Sequence, residues 1–151
     1  MTPDLRNRED TFGSLQQAQL DIVRTSNLLA DALDQLLKPY GITGTQYNVL
    51  RILRGEEPDG LCRNAVRERL LSRMPDATRL LARMEQAGLV SRNRSEEDRR
   101  HVTTRITDKG QRLVAALDEK VEEEHQGRFG RLSQKQVRKL IKLLTLVRDA
   151  T

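Results

Sequence analysis

Arg79 and Arg83 stand four residues apart. On a helix that spacing projects both guanidiniums from one side. Each can grip a guanine edge with two hydrogen bonds, or hold phosphate oxygens. They belong to a denser set. Between Leu61 and Arg105 the chain carries eleven arginines, Arg63, Arg67, Arg69, Arg73, Arg79, Arg83, Arg92, Arg94, Arg99, Arg100 and Arg105, and no lysine. Against them stand six acids, Glu68, Asp76, Glu85, Glu96, Glu97 and Asp98. That excess of five equals the whole net charge of the 151-residue chain, so the remaining basic and acidic residues cancel. Cations gathered in one segment point to a polyanion partner, and a solvated charged face is the plain alternative.

Other chemistry finds little support. There is no Gly-rich phosphate loop, no nucleophile elbow and no metal-ligand spacing, so no enzyme, cofactor or metal is expected. Glu122-Glu123-Glu124-His125 puts possible ligands in a row, but on a helix consecutive residues diverge, and solvated charge is the better reading. Cys62 cannot form an internal disulfide, which fits a cytoplasmic location, and it reads as a stand-in for Ser or Thr near a helix cap. No apolar run approaches a membrane span, and the first six residues lack a signal-peptide pattern. Aromatic residues are only 3%, which argues against base-stacking single-strand binders.

The length suits one domain with a real core. Residues 1–13 show little periodicity and read as a loose arm. Ser14-x-x-Gln17 has the form of a capping box, and Ile22, Leu29, Leu33, Leu36 and Leu37 follow at helical spacing. Pro39 and Gly41 end that helix. Thr43-x-x-Gln46 opens a second helix with Tyr47, Val49, Leu50, Ile52 and Leu53 inward. Gly55–Gly60 is a loop by composition. A third helix starts near Arg63, with Ala65, Val66, Leu70 and Leu71 inward, and Met74-Pro75-Asp76 interrupts it. Pro75 and Asp76 suit the start of a fourth helix, which buries Ala77, Leu80, Leu81 and Met84 and stops at Gly88.

The pattern then changes. Leu89–Arg92 and Val102–Ile106 are short and partly β-branched, with a polar tip from Asn93 to His101, and read as a β-hairpin. Thr107 caps a fifth helix through Leu113, Val114, Leu117 and Val121, broken by Gly127–Gly130. Ser133-x-x-Gln136 opens the last helix, with Val137, Leu140, Ile141, Leu144 and Val147.

Helices joined by a tight turn and followed by a charged hairpin make a winged helix-turn-helix. The expected fold class is mainly α with a small β-hairpin wing. The fourth helix fits the major groove, with Asp76, Arg79 and Arg83 on its open face, Thr78 at its edge, and Arg73 and Met74 at its entry. Arg94, Arg99 and Arg100 on the hairpin tip can reach the neighbouring minor groove. Arg63, Arg67 and Arg69 read as surface or phosphate contacts, and Arg105 as half of a structural ion pair. His101 either touches phosphate or is simply exposed.

The chain resembles the MarR family of bacterial transcription regulators. The resemblance rests on Gly41–Leu50, Ala77–Val90, Asp98-Arg99-Arg100 and Ile106–Gly110, in matching order and spacing, and covers nearly the whole chain from Ser14. It implies a homodimer in which residues 14–40 and 107–151 form a helical dimerisation region carrying the DNA-binding lobe 41–106. It also implies two recognition helices on a pseudo-palindromic operator, in a regulator expected to be a ligand-responsive repressor. By position, Arg100 would be the minor-groove arginine of the wing, with Asp98 orienting it. Tyr40 and Tyr47, with Arg51, fall near where relatives bind small aromatic or anionic effectors, although both tyrosines also read as packing residues. Two departures stand out. Ser72-Arg73-Met74-Pro75-Asp76 lacks the small hydroxyl residues usual before the recognition helix, so no known operator transfers, and the Gly55–Gly60 loop is longer than usual. An architectural or RNA-binding basic protein with little sequence preference is the alternative, resting on charge alone.

Overall fold

In the computed structural model, residues 5–71 and 76–150 are described, with side chains from residue 13 onward. The chain packs as two units, Met1–Gly44 and Thr45–Thr151.

The first unit is dominated by helix α1, Leu5–Leu37. It begins well before Ser14, so residues 5–13 are helical where the sequence suggests a loose arm, and Ser14 lies inside the helix. The stretch has no internal proline. The single Gly13 costs a helix only about 1 kcal/mol, which a long run of helix formers tolerates. Its apolar side chains Leu15, Leu20, Ile22, Val23 and Leu28 are exposed. Leu37 ends the helix and is fully buried. A 3₁₀ turn, Lys38–Tyr40, carries Pro39 in its first turn and closes at Gly41, whose N–H donates to Lys38 O. Asp34 Oδ1 then accepts the Gly44 N–H at 2.7 Å, a bond within the first unit.

The second unit holds the rest. Helix α2 (Gly44–Arg54) buries Tyr47, Val49, Leu50 and Leu53. A two-residue strand β1 (Leu61–Cys62) leads into α3 (Arg63–Arg69), of which only Val66 is buried. Leu71, expected inward, is exposed instead. The helix has ended by then, because Leu70 is already extended and the 3.6-residue period no longer governs where side chains point. Helix α4 (Ala77–Gln86) buries the expected four, Ala77, Leu80, Leu81 and Met84. Strands β2 (Val90–Arg94) and β3 (Val102–Ile106) pair antiparallel in register Val90–Ile106 through Arg94–Val102.

The hairpin has a third partner that periodicity does not reveal. β1 pairs antiparallel with β3, Leu61 opposite Thr104 and Cys62 opposite Thr103, so the sheet order is β1-β3-β2. Two residues are too few to show a strand pattern. Gly60 permits the approach: its φ is +72°, and a Cβ there would stand 2.5 Å from Thr104 O.

Helix α5 runs from Asp108 to Phe129, so Gly127 lies within it and the break comes at Gly130. Thr107 caps it as expected, accepting the Gly110 N–H at 3.1 Å. The same hydroxyl donates to Gly88 O at 2.6 Å, and Lys109 Nζ donates to Ala87 O at 2.7 Å. The end of α4 is thus fastened to the start of α5. Farther along, Arg54 meets Asp118 in a two-point ion pair of 2.8 and 3.1 Å, fixing α2 against α5. Val114, Leu117 and Val121 complete the core. Helix α6 (Gln134–Arg148) opens with the expected Ser133–Gln136 capping box and buries none of its residues. Ile141, Leu143, Leu146 and Val147 lie open. No described helix is long and apolar enough to cross a membrane.

Candidate nucleic-acid interface

The candidate interface is built on α4. Burying Ala77, Leu80, Leu81 and Met84 forces Thr78, Arg79 and Arg83 onto the exposed face. Asp76 is exposed, and it also caps the helix: Oδ1 accepts the Arg79 N–H at 3.0 Å, and Oδ2 lies 3.4 Å from Arg79 Nε. It satisfies an otherwise orphan N–H and steadies Arg79 at its root. Arg83 enters no ion pair among the described residues. Arg73 and Met74, expected at the helix entry, lie outside the described residues, as does Pro75.

The wing is locked to this helix. Arg92 on β2 donates from Nε to Glu85 Oε2 at 2.9 Å and from Nη2 to Oε1 at 3.1 Å. The carboxylate holds the Arg92 guanidinium above its ordinary pKa, and the guanidinium holds Glu85 below its own. Two parallel bonds fix direction as well as distance.

The wing tip organises itself around Asp98. Ser95 N–H donates to His101 O at 2.9 Å, and His101 N–H to Asp98 O at 3.0 Å. The Ser95 hydroxyl accepts the Glu97 and Asp98 N–H groups at 3.3 and 3.4 Å. Asp98 Oδ1 accepts the backbone N–H of Arg100 at 3.0 Å, and its Oδ2 lies 3.6 Å from His101 Nε2. Asp98 therefore orients Arg100 through the main chain, and among the described residues the guanidinium enters no ion pair. Arg94, Arg99 and Arg100 are all exposed.

Between α3, α4 and the wing runs an open groove of about 410 Å³. Arg63, Asn64, Thr78, Arg92, Arg100, His101 and Thr104 supply its polar walls, and among the described residues no acidic side chain lines it. Arg63 Nη1 donates to Thr78 Oγ1 at 3.1 Å. Cys62, the exposed free cysteine, also borders the groove, at the N-cap position of α3 without making a side-chain cap bond.

Other candidates fall elsewhere. Arg105 pairs with Glu57, as expected for a structural ion pair. Arg69 pairs with Glu56 in the same Gly55–Gly60 loop, which is thereby held at two points. Tyr47 is buried, and Arg51 donates to its hydroxyl at 3.2 Å with the guanidinium carbon 5.9 Å from the ring centre. Tyr40 is half-buried in the first unit. Glu124 pairs with Arg128, and Glu122 accepts from Gln126, consistent with a solvated charged face. The pairing of Arg92 with Glu85 has no signal in the sequence. The two are seven residues apart across a helix, a turn and a strand, a separation that no single periodicity exposes.

A family model, the MarR family, matches residues 40–101. The chain is 34% identical over 137 residues to the HTH-type transcriptional regulator MgrA of Staphylococcus aureus, covering 91% of this chain and 86% of that protein. It is 32% identical over 103 residues to the HTH-type transcriptional regulator PecS of Dickeya dadantii, covering 67% of this chain but only 62% of that relative. Among solved structures, a complex of S. aureus MepR with DNA superposes with a TM-score of 0.80 at 25% identity, covering 88% of this chain and 97% of that one.

Proposed function

The chain belongs to the MarR family, and from that premise we propose that it is a dimeric, sequence-specific DNA-binding transcription regulator acting in the cytoplasm as a ligand-responsive repressor. The observation that carries the reading is the α4–wing assembly: Arg79 and Arg83 on one exposed helix face, with a wing of exposed arginines locked beside them through Glu85 and Arg92. Such an assembly can place α4 in the major groove while the wing reaches the adjoining minor groove. Arg79 and Arg83 would read base edges, and Arg94, Arg99 and Arg100 would hold backbone and minor groove. The MepR complex with DNA supports double-stranded DNA as the partner.

The proposed dimer uses residues 14–40 and 107–151. Its support is the apolar surface each stretch exposes, Leu15, Leu20, Ile22, Val23 and Leu28 on α1 and Ile141, Leu143, Leu146 and Val147 on α6. Two copies would meet two half-sites of a pseudo-palindrome. For the ligand response, the proposed contacts are Arg51 and Tyr47, joined by their hydrogen bond, together with Tyr40. A small aromatic or anionic effector would lower DNA affinity only by its differential affinity for the two states.

The test is selection of bound duplexes from a random library, followed by affinity measurement at one fixed salt concentration. The selected duplex should bind at least about 10³-fold more tightly than a random one. A ratio near unity would favour an architectural binder and reject the regulator.

A further inference from the structure

We propose that the groove between α3, α4 and the wing holds a phosphate of the DNA backbone, and that Thr78, although it sits on the recognition helix, is a phosphate contact positioned by Arg63. The proposal rests on the DNA-binding reading and divides its contacts more finely.

Arg63 donates to Thr78 Oγ1 at 3.1 Å. A hydroxyl that accepts one bond still has its own hydrogen to give, and the Arg63 fork retains further N–H groups. The pair therefore presents donors side by side, the Thr78 hydroxyl hydrogen and the remaining guanidinium N–H groups. A phosphodiester oxygen is an acceptor only, so the match is direct. Arg100 stands on the same groove, with its guanidinium in no ion pair among the described residues and its backbone set by Asp98. Arg92 also lines the groove but is spent on Glu85 at two points, and His101 lies within 3.6 Å of Asp98. Among the described residues, the uncompensated charge is thus that of Arg63 and Arg100, from opposite elements. Among the described residues, no acid lines the walls to repel an anion.

Thr78 is the second residue of α4, whose first-turn N–H groups favour negative charge nearby. The groove is open, as a passing strand requires. Arg79 and Arg83 are not part of its walls. Base reading and backbone holding are thus divided between neighbouring residues of one helix, with Thr78 on the backbone side.

The division is tested by fluorescence anisotropy over a salt series, with the selected duplex and a random duplex of equal length. Arg63→Gln should lower the slope of log K against log salt by about 0.9 for each phosphate it ceases to neutralise. Affinity for both duplexes should fall by the same factor. Thr78→Val should likewise leave the selected-to-random ratio unchanged, while Arg79→Ala should reduce that ratio. Arg63→Lys, which keeps the charge, should restore most of the slope, and this separates a charge effect from a folding defect. An unchanged slope in Arg63→Gln, or a Thr78→Val effect confined to the selected duplex, would overturn the assignment. A wild-type ratio near unity would reject the regulator reading while leaving the slope test intact. A wild-type chain that bound neither duplex would overturn both.

Discussion

Glu85 on the recognition helix and Arg92 on the wing meet through two hydrogen bonds, of 2.9 and 3.1 Å. The contact joins two elements that could move separately into one surface, the one proposed to meet DNA. It spends one arginine to hold the others in place. It also joins with the bonds of Thr107 and Lys109 to the end of α4, so the helix is braced from the wing and from α5.

Removing the brace should loosen the wing. Glu85→Gln should speed amide hydrogen exchange across residues 90–106 relative to α5, and Arg92→Gln should do the same. The double variant should be little worse than either single one, because both remove one interaction. Since Arg92 holds the Glu85 carboxyl below its ordinary pKa, the pair's stabilisation is fully present above the usual carboxylate range. It declines as pH falls through that range and is lost below the depressed folded value. The difference in exchange between wild type and Glu85→Gln should therefore be largest at neutral pH and vanish in acid. A difference that persisted in acid would show that the charge pair is not its source.

Gly60→Ala should destabilise the winged lobe. The positive φ alone costs a side chain about 1–2 kcal/mol, and the added methyl would press on Thr104 O, 2.5 Å from the ideal Cβ. Urea unfolding should show a lower midpoint with an unchanged slope. An unaltered midpoint would mean that β1 does not need its close pairing with β3.

Ile141→Glu tests the proposed dimer. Ile141 is 57% exposed in the single chain, so the substitution spares the core. Sedimentation equilibrium should show the mass falling from two chains to one. Affinity for a two-half-site duplex should drop steeply while far-ultraviolet circular dichroism is unchanged. A variant that stays dimeric would remove α6 from the interface.

Much of the chain is legible in local pattern. The core face of α4 follows from Ala77, Leu80, Leu81 and Met84 at helical spacing, and the Ser133–Gln136 capping box stands where its residues predict it. The exposed face of α4 is legible for the same reason, since a helix that buries one side must show the other. Patterns fail where a residue's setting depends on something distant. Leu71 looks inward only if α3 continues, and it does not. Ser14 looks like a cap only if nothing helical precedes it, and α1 begins at Leu5. Resemblance assigns Asp98 to orienting Arg100, and its bond goes to the Arg100 backbone, a choice made by the turn of the wing tip.

The residue order alone dictates that this chain forms helices and a hairpin in winged order, where its net charge lies, and which side chains of α4 face outward. These follow from periodicity and from short-range capping, which act over a few residues and can be read in a line. Which arginines remain free is settled by the folded arrangement. Arg92, Arg105 and Arg69 are taken by Glu85, Glu57 and Glu56, while among the described residues Arg83 and Arg100 enter no ion pair and Arg63 leans on Thr78. An ion pair needs two groups within hydrogen-bond reach, and that distance is set by the folding of separate elements onto one another.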